Sequence, residues 1–174
     1  MLRHNNIDDL DKAILQELLN DSCISARSIA EKLDKSPTTI TSRIKRLKEQ
    51  GIIKDQGIML NSQALGFEWT AIIEVQVGKG KLVETEQEIA KLDNAIAVYD
   101  VTGQTDIIVI GKFRNREELS QFTKKVLAFE YVERTISHIS LNTVKEDFIF
   151  KKMIDLIEPS KVYKEDSEKN IPLE

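Results

Sequence analysis

The chain is poor in the groups that most chemistry needs. Cys23 is its only cysteine, so no intramolecular disulfide and no cysteine-based metal cluster forms within one chain. The thiol is expected to be a small buried group. Its two histidines, His4 and His138, lie far apart in sequence. No Ser/His/Asp set, phosphate-cradling glycine loop or paired-carboxylate constellation is evident, so no catalytic residue, metal ligand or cofactor is assigned. No stretch approaches the ~20 apolar residues needed to span a bilayer. The N-terminus lacks the apolar run of a signal peptide, which places the expectation in the cytoplasm with no membrane partner. A net charge of −4 over 174 residues argues against nucleic-acid binding by the whole surface, so any such binding is local.

What is present divides the chain. Residues 1–60 carry ten Lys/Arg against nine Asp/Glu, whereas the remainder is acidic, which suggests two separate jobs. The stretch from Ser36 to Gly51 reads as one helix with both ends marked. Ser36 is a natural N-cap, Pro37 suits the first helical position, and Gly51 suits the closing left-handed residue. Ile40, Ile44 and Leu47 form a buried stripe at i, i+4 and i+7. Thr38, Ser42, Lys45 and Arg46 then point the opposite way, with Thr39 and Arg43 on one flank and Thr41 on the other. From Lys35 to Lys54 there are six basic residues and one acid, Glu49. Hydroxyls and cations both contact phosphate and reach base edges, so the candidate double-stranded-DNA contacts are Ser36, Thr38, Thr39, Ser42, Arg43, Lys45, Arg46 and Lys54.

Two helices precede that segment. Asp8 caps the first, whose apolar stripe is Leu10, Ile14, Leu15, Leu18 and Leu19. Ser25 caps a short second one carrying Ile29, Ala30 and Leu33. A tight turn at Asp34–Lys35 joins it to the Ser36 helix, the layout of a helix-turn-helix unit. Ile58 to Leu60 is a candidate strand for a small wing.

From Trp69 the period changes to two. Trp69–Val77 reads as a strand, Leu82 to Leu92 as a helix, Ile96–Thr102 and Ile107–Phe113 as strands joined by a four-residue turn. The unbroken Ile-Ile-Val-Ile run of the third strand suggests burial on both faces. Asn115 with Glu118 makes a capping box for the next helix, and Val132–Leu141 is a fourth strand. The order βαββαβ is the ferredoxin-like arrangement, four antiparallel strands backed by two helices on one face. The other face needs cover, so a dimer through this domain is expected. A terminal helix is expected over Lys145–Ile157, followed by a polar tail. The fold class is therefore α+β, with a winged helix-turn-helix over 1–60, a linker over 61–68, a ferredoxin-like domain over 69–145, and a C-terminal helix and tail over 146–174.

Several short pieces, in their order and spacing, carry a family resemblance. They are Ile7-Asp8 with Asp11 and Ile14-Leu15, Ile29-Ala30 with Leu33, Ser36-Pro37-Thr38, Arg43-Ile44-Lys45-Arg46-Leu47, Gly51-Ile52-Ile53, Leu65-Gly66, and Val101-Thr102-Gly103 with Asp106. Over roughly Ile7 to Lys145 the chain resembles the Lrp/AsnC, or feast/famine, transcriptional regulators. The resemblance implies a DNA-binding regulator whose C-terminal domain (RAM/ACT-like) senses an amino acid or related small molecule. It also implies dimers that assemble into tetramers or octamers, with the effector between dimers. Carried over by position, the effector residues are Gly103, Asp106, Thr135 and Ser137. The family's usual acid and aromatic inside that turn are here Gln104 and Thr105. Gly103 and Asp106 also fit an ordinary hairpin turn, and Thr135 and Ser137 ordinary strand positions. Two alternatives use the same scaffold, a sirohaem-decarboxylase-like enzyme using histidine and a metabolite-binding assembly protein.

Overall fold

The computed structural model describes residues 7–54, 60–78, 80–146, 148 and 153–156. The chain divides into two compact units, Met1–Met59 with Glu146–Glu174, and Leu60–Lys145. Among the described residues, the first therefore brings the turn at Met153–Leu156 together with the N-terminal helices.

In the first unit α1 spans Asp9–Asn20, α2 Ala26–Leu33 and α3 Pro37–Glu49. Each starts where a side-chain oxygen can take an orphan amide of the first turn. Asp8 and Asp11 exchange such bonds in a reciprocal box, the Asp11 N–H donating to Asp8 at 2.9 Å and the Asp8 N–H to Asp11 at 3.1 Å. Ser25 Oγ accepts from the Ser28 N–H at 3.0 Å, and Ser36 Oγ from the Thr39 N–H at 3.1 Å. The turn between α2 and α3 is tight because Asp34 adopts a left-handed conformation (φ 52°), which a short polar side chain tolerates. Gly51, at φ 71°, closes α3. Beyond it the Ile52 N–H reaches the Leu47 carbonyl at 3.0 Å and Ile52 packs beside Leu47, the paired bond and apolar contact of a glycine-terminated helix.

Ile14, Ile29, Ala30 and Ile40 form the core of this unit. A second cluster joins Leu15 and Leu47 to Ile154, which comes from a 3-10 turn at Met153–Leu156. That turn is what the described residues show of the expected terminal helix. Lys145 and Glu146 are irregular, and most of the remaining span lies outside the described residues. So do residues 55–59, which hold most of the expected wing strand, and His4. Cys23 is exposed rather than buried, because it sits in the turn after α1 with its N–H donated to Asp21.

In the second unit β1 (Trp69–Val77), α4 (Leu82–Ala90), β2 (Ala95–Asp100), β3 (Ile107–Phe113), α5 (Arg116–Leu127) and β4 (Val132–Ile139) follow the βαββαβ order. The sheet runs β2-β3-β1-β4 and every pair is antiparallel. Ala71, Ile73 and Val75 of β1 and Ile107, Val109 and Phe113 of β3 point into one core with Ile89 of α4 and Leu119, Phe122 and Val126 of α5. The Ile-Ile-Val-Ile run of β3, expected to be buried on both faces, splits. Ile107 and Val109 are buried, whereas Ile108 and Ile110 are half-buried on the face without helices. β2 ends two residues early because the Val101 N–H bonds the Asp106 carbonyl and turns the chain into the next loop. Glu118 does not close the expected box on Asn115. Asn115 accepts its N–H, but the Glu118 carboxylate takes the Arg114 N–H instead.

Candidate nucleic-acid interface and effector site

α3 presents two different surfaces. Thr38, Ser42 and Lys45 are exposed on the side away from Ile40 and Leu47. Thr38 and Ser42 hydroxyls have no partner among the described residues, and Lys45 makes only a loose 3.8 Å pair with Glu49 one turn on. Ser36 and Thr39 are engaged at the helix start, where their hydroxyls also share a 2.8 Å hydrogen bond. Lys54 is exposed beyond the helix. Lys48, outside the expected set, is exposed on the flank with Thr41, and its ammonium has no partner among the described residues.

Helical spacing predicts Arg46 on the outward side of α3 and Arg43 on one flank. Both turn back onto α1. Arg43 Nη1 donates to Asp8 Oδ2, and to Asp11 Oδ1 at 3.2 Å; Arg46 Nη2 donates to Asp11 Oδ2. Asp11 is 0% exposed. Helical spacing alone sets Arg46 outward, but it is blind to an acid more than thirty residues away. Burial tends to raise the Asp8 carboxyl pKa. The Asp11 backbone N–H and the Arg43 guanidinium outweigh that and hold it below the usual carboxylate range. The Asp8 carboxylate in turn raises the Arg43 guanidinium.

The second candidate site gathers at the end of β1. Gly103 takes a positive φ of 139°, and a Cβ there would meet nothing within 4 Å, so its requirement is conformational. Asp106 Oδ2 accepts the Val77 N–H at 2.8 Å, and its own N–H reaches the Val75 carbonyl at 3.1 Å. Thr105 Oγ1 donates to that same carbonyl at 2.9 Å, and Gln76 Nε2 to the Gln104 carbonyl at 2.7 Å. Thr135 of β4 stands opposite Val75, so it and the 103–106 loop flank β1 at one level; Ser137, opposite Ile73, is one step along. The geometry thus brings Asp106 and Thr135 to the same strand end. His138 pairs with Glu74 at 2.9 Å on the open face of the sheet. Among the described residues no group of three or more His, Cys, Asp or Glu is placed to hold a metal, and no described helix is long and apolar enough to cross a membrane.

Comparison with known proteins agrees with both halves. Residues 7–54 match the family described as winged helix-turn-helix DNA-binding, and residues 70–150 match the Lrp/AsnC ligand binding domain. An uncharacterized HTH-type transcriptional regulator of Pyrococcus furiosus is 48% identical over 142 residues, covering 82% of this chain and 96% of that protein. The structure of Escherichia coli AsnC superposes with a TM-score of 0.75 at 23% identity, covering 81% of this chain and 96% of its own. A Neisseria meningitidis transcriptional regulator solved as its L-Met complex gives 0.74 at 22% identity, covering 84% and 99%. A capped helix-turn-helix followed by a ferredoxin-like unit defines a two-domain, ligand-modulated DNA-binding regulator. The chain belongs to the Lrp/AsnC family of transcriptional regulators.

Proposed function

We propose that this regulator works as a homodimer, assembling further into tetramers or octamers, that lays one α3 in the major groove of each half-site. The carrying observation is the outward side of α3, where Thr38, Ser42 and Lys45 are exposed and uncommitted or loosely held. The helix start is rigidly capped at Ser36, which suits a segment that must enter a groove end-first. Self-association is supported by the helix-free face of the sheet. Ile72 is 42% exposed there and Tyr99 48%, with Ile108 and Ile110 between them. An apolar patch of this kind on a single chain marks an interaction surface.

The effector in this reading is an amino acid bound near Gly103, Asp106, Thr135 and Ser137, at a junction between dimers. Asp106 supplies a carboxylate for an ammonium group, and the hydroxyls of Thr135 and Ser137 supply donors for a carboxylate. The L-Met complex of the Neisseria relative supports this class of ligand. Gel retardation of the chain's own upstream DNA, with and without a panel of amino acids, tests the whole reading. Ser42→Glu puts a like charge against the phosphates without touching the core, so it should abolish retardation while leaving the melting temperature in place. Wild-type retardation by that variant would refute the groove placement.

A further inference from the structure

The seam between α1 and α3 holds four charges where helix packing would be satisfied by apolar groups. Asp11 lies on the inner side of α1 beside Ile14 and Leu15 and is wholly buried. A buried carboxylate is tolerated only when paired and hydrogen-bonded. Its oxygens receive the Asp8 N–H, Arg43 Nη1 and Arg46 Nη2. Asp8 adds a second acceptor for Arg43, which therefore bridges both acids. Arg46 Nε is buried without a hydrogen-bond partner among the described residues, a cost incurred only if the rest of the guanidinium is committed to Asp11. Two arginines and two aspartates sum to zero, so the seam offers no net positive charge to a phosphate.

The lysines are more exposed than the arginines and less committed. Lys45 and Lys48 are exposed, and so are Lys35 and Lys54 at the ends of the segment. What holds them among the described residues is slight: a 3.2 Å bond from Lys35 to the Asp34 carbonyl and the loose Lys45–Glu49 pair. Moving any of them to a phosphate breaks little.

We propose that Arg43 and Arg46 are positioning residues that lock α3 to the first helix through Asp8 and Asp11, while Lys45 and Lys48, with Lys35 and Lys54, neutralise the DNA backbone. This rests on the reading of α3 as the groove helix. It divides the cations of one short segment into two jobs that the helical spacing of α3 does not separate.

Two measurements decide it. The first is the slope of log Kd against log salt for a fluorescent duplex carrying the chain's own upstream sequence. Lys45→Ala with Lys48→Ala should flatten that slope by about 0.9 for each phosphate left without its lysine, and should leave the melting temperature unchanged. Arg46→Ala should keep the wild-type slope and lower the melting temperature. Arg46→Lys should behave like Arg46→Ala, because lysine keeps the charge but not the fork that reaches Asp11. A flattened slope with unchanged melting in Arg46→Ala, or rescue by Arg46→Lys, would overturn the proposal. The second is a double-mutant cycle of Asp11→Asn and Arg46→Ala followed by thermal melting without DNA. The double variant should melt well above the temperature that adding the two single shifts would give. Additive shifts would also overturn it. The cycle needs no ligand, so a wild-type chain that fails to bind DNA would refute the regulatory placement of α3 and still leave the seam decided.

Discussion

Asp106 is where a structural bond and the proposed ligand contact can be pulled apart by one atom. Val77 sits where the register of β1 against β4 shifts, and β3 has already turned away beyond Ile107, so no ladder carbonyl faces its N–H. Asp106 Oδ2 takes that N–H at 2.8 Å. A hydrogen bond to a charged group is worth about 1.5–3 kcal/mol, and partial solvent access puts this one at the low end. Asp106→Ala should therefore cost about 1–2 kcal/mol, a fall of roughly 4–8 °C in melting temperature for each kcal/mol in a domain of this size. Asp106→Asn keeps an acceptor oxygen in the same place and should cost about half of that, since neutral bonds are about half as strong as charge-assisted ones. The ligand should see the reverse. Both variants lose the charge that meets an ammonium group in the proposed site, so on that proposal the Kd of the effector should rise about tenfold or more in each, at ~1.4 kcal/mol per factor of ten. Differential scanning fluorimetry reads the first effect and titration calorimetry with the binding amino acid reads the second. If Asp106→Ala melts with the wild type, the Val77 bond contributes nothing. If Asp106→Asn binds the effector as tightly as the wild type, the carboxylate is not its ammonium partner.

Four further outcomes follow from the same geometry. Ser36→Ala removes the oxygen that takes the Thr39 N–H and should lower the urea midpoint of the first unit by the equivalent of about 1 kcal/mol. A Cβ at Gly111 would stand 2.6 Å from Phe113 Cζ and 3.3 Å from the Asn94 carbonyl oxygen, and Phe113 is itself pinned against Phe122 at 5.2 Å. Gly111→Ala should thus cost about 1–3 kcal/mol by overpacking, and a melt unchanged from wild type would show that the ring has somewhere to go. Ile154→Ala should destabilise the first unit by about 2 kcal/mol, since it uncovers Leu15 and Leu47, with hydrogen exchange in α1 and α3 as the readout. The Asp8 carboxyl is held below its ordinary pKa in the folded chain, so its contribution is complete above about pH 4 and disappears as pH falls through the lower folded value. Asp8→Asn should remove that part of the acid limb; an acid limb identical to wild type would refute it.

What can be read from the sequence is what depends on near neighbours. The caps at Asp8, Ser25, Ser36 and Asn115 each act within three residues, and each stands in the structure where its residue type indicates. The strands announce themselves by alternation, and only their ends move. The seam between α1 and α3 is hidden for the opposite reason. Its bonds join Asp11 to Arg43 and Arg46 across 32 and 35 residues, and a helical wheel for α3 holds no information about what stands beside it. One signal exists. Asp11 falls on the same helical side as Ile14, Leu15 and Leu18, and a carboxylate on an apolar stripe requires a cation from elsewhere. Arg43 and Arg46 are the arginines with the fork to meet it.

The turn at Gly103–Asp106 shows a different limit. Its residues suit a plain hairpin turn and an effector site equally well, and the geometry makes the two readings compatible rather than exclusive. One oxygen of Asp106 is fixed on the Val77 N–H, and its other oxygen has no partner among the described residues. The fixed bond sets the plane of the carboxylate, so the remaining oxygen is held in one direction before any ligand arrives. A group held in place in this way gives up less freedom on binding than a free side chain does. The Val77 bond is thus compatible with the proposed recognition of an ammonium group, and alanine and asparagine at this one position should separate the two.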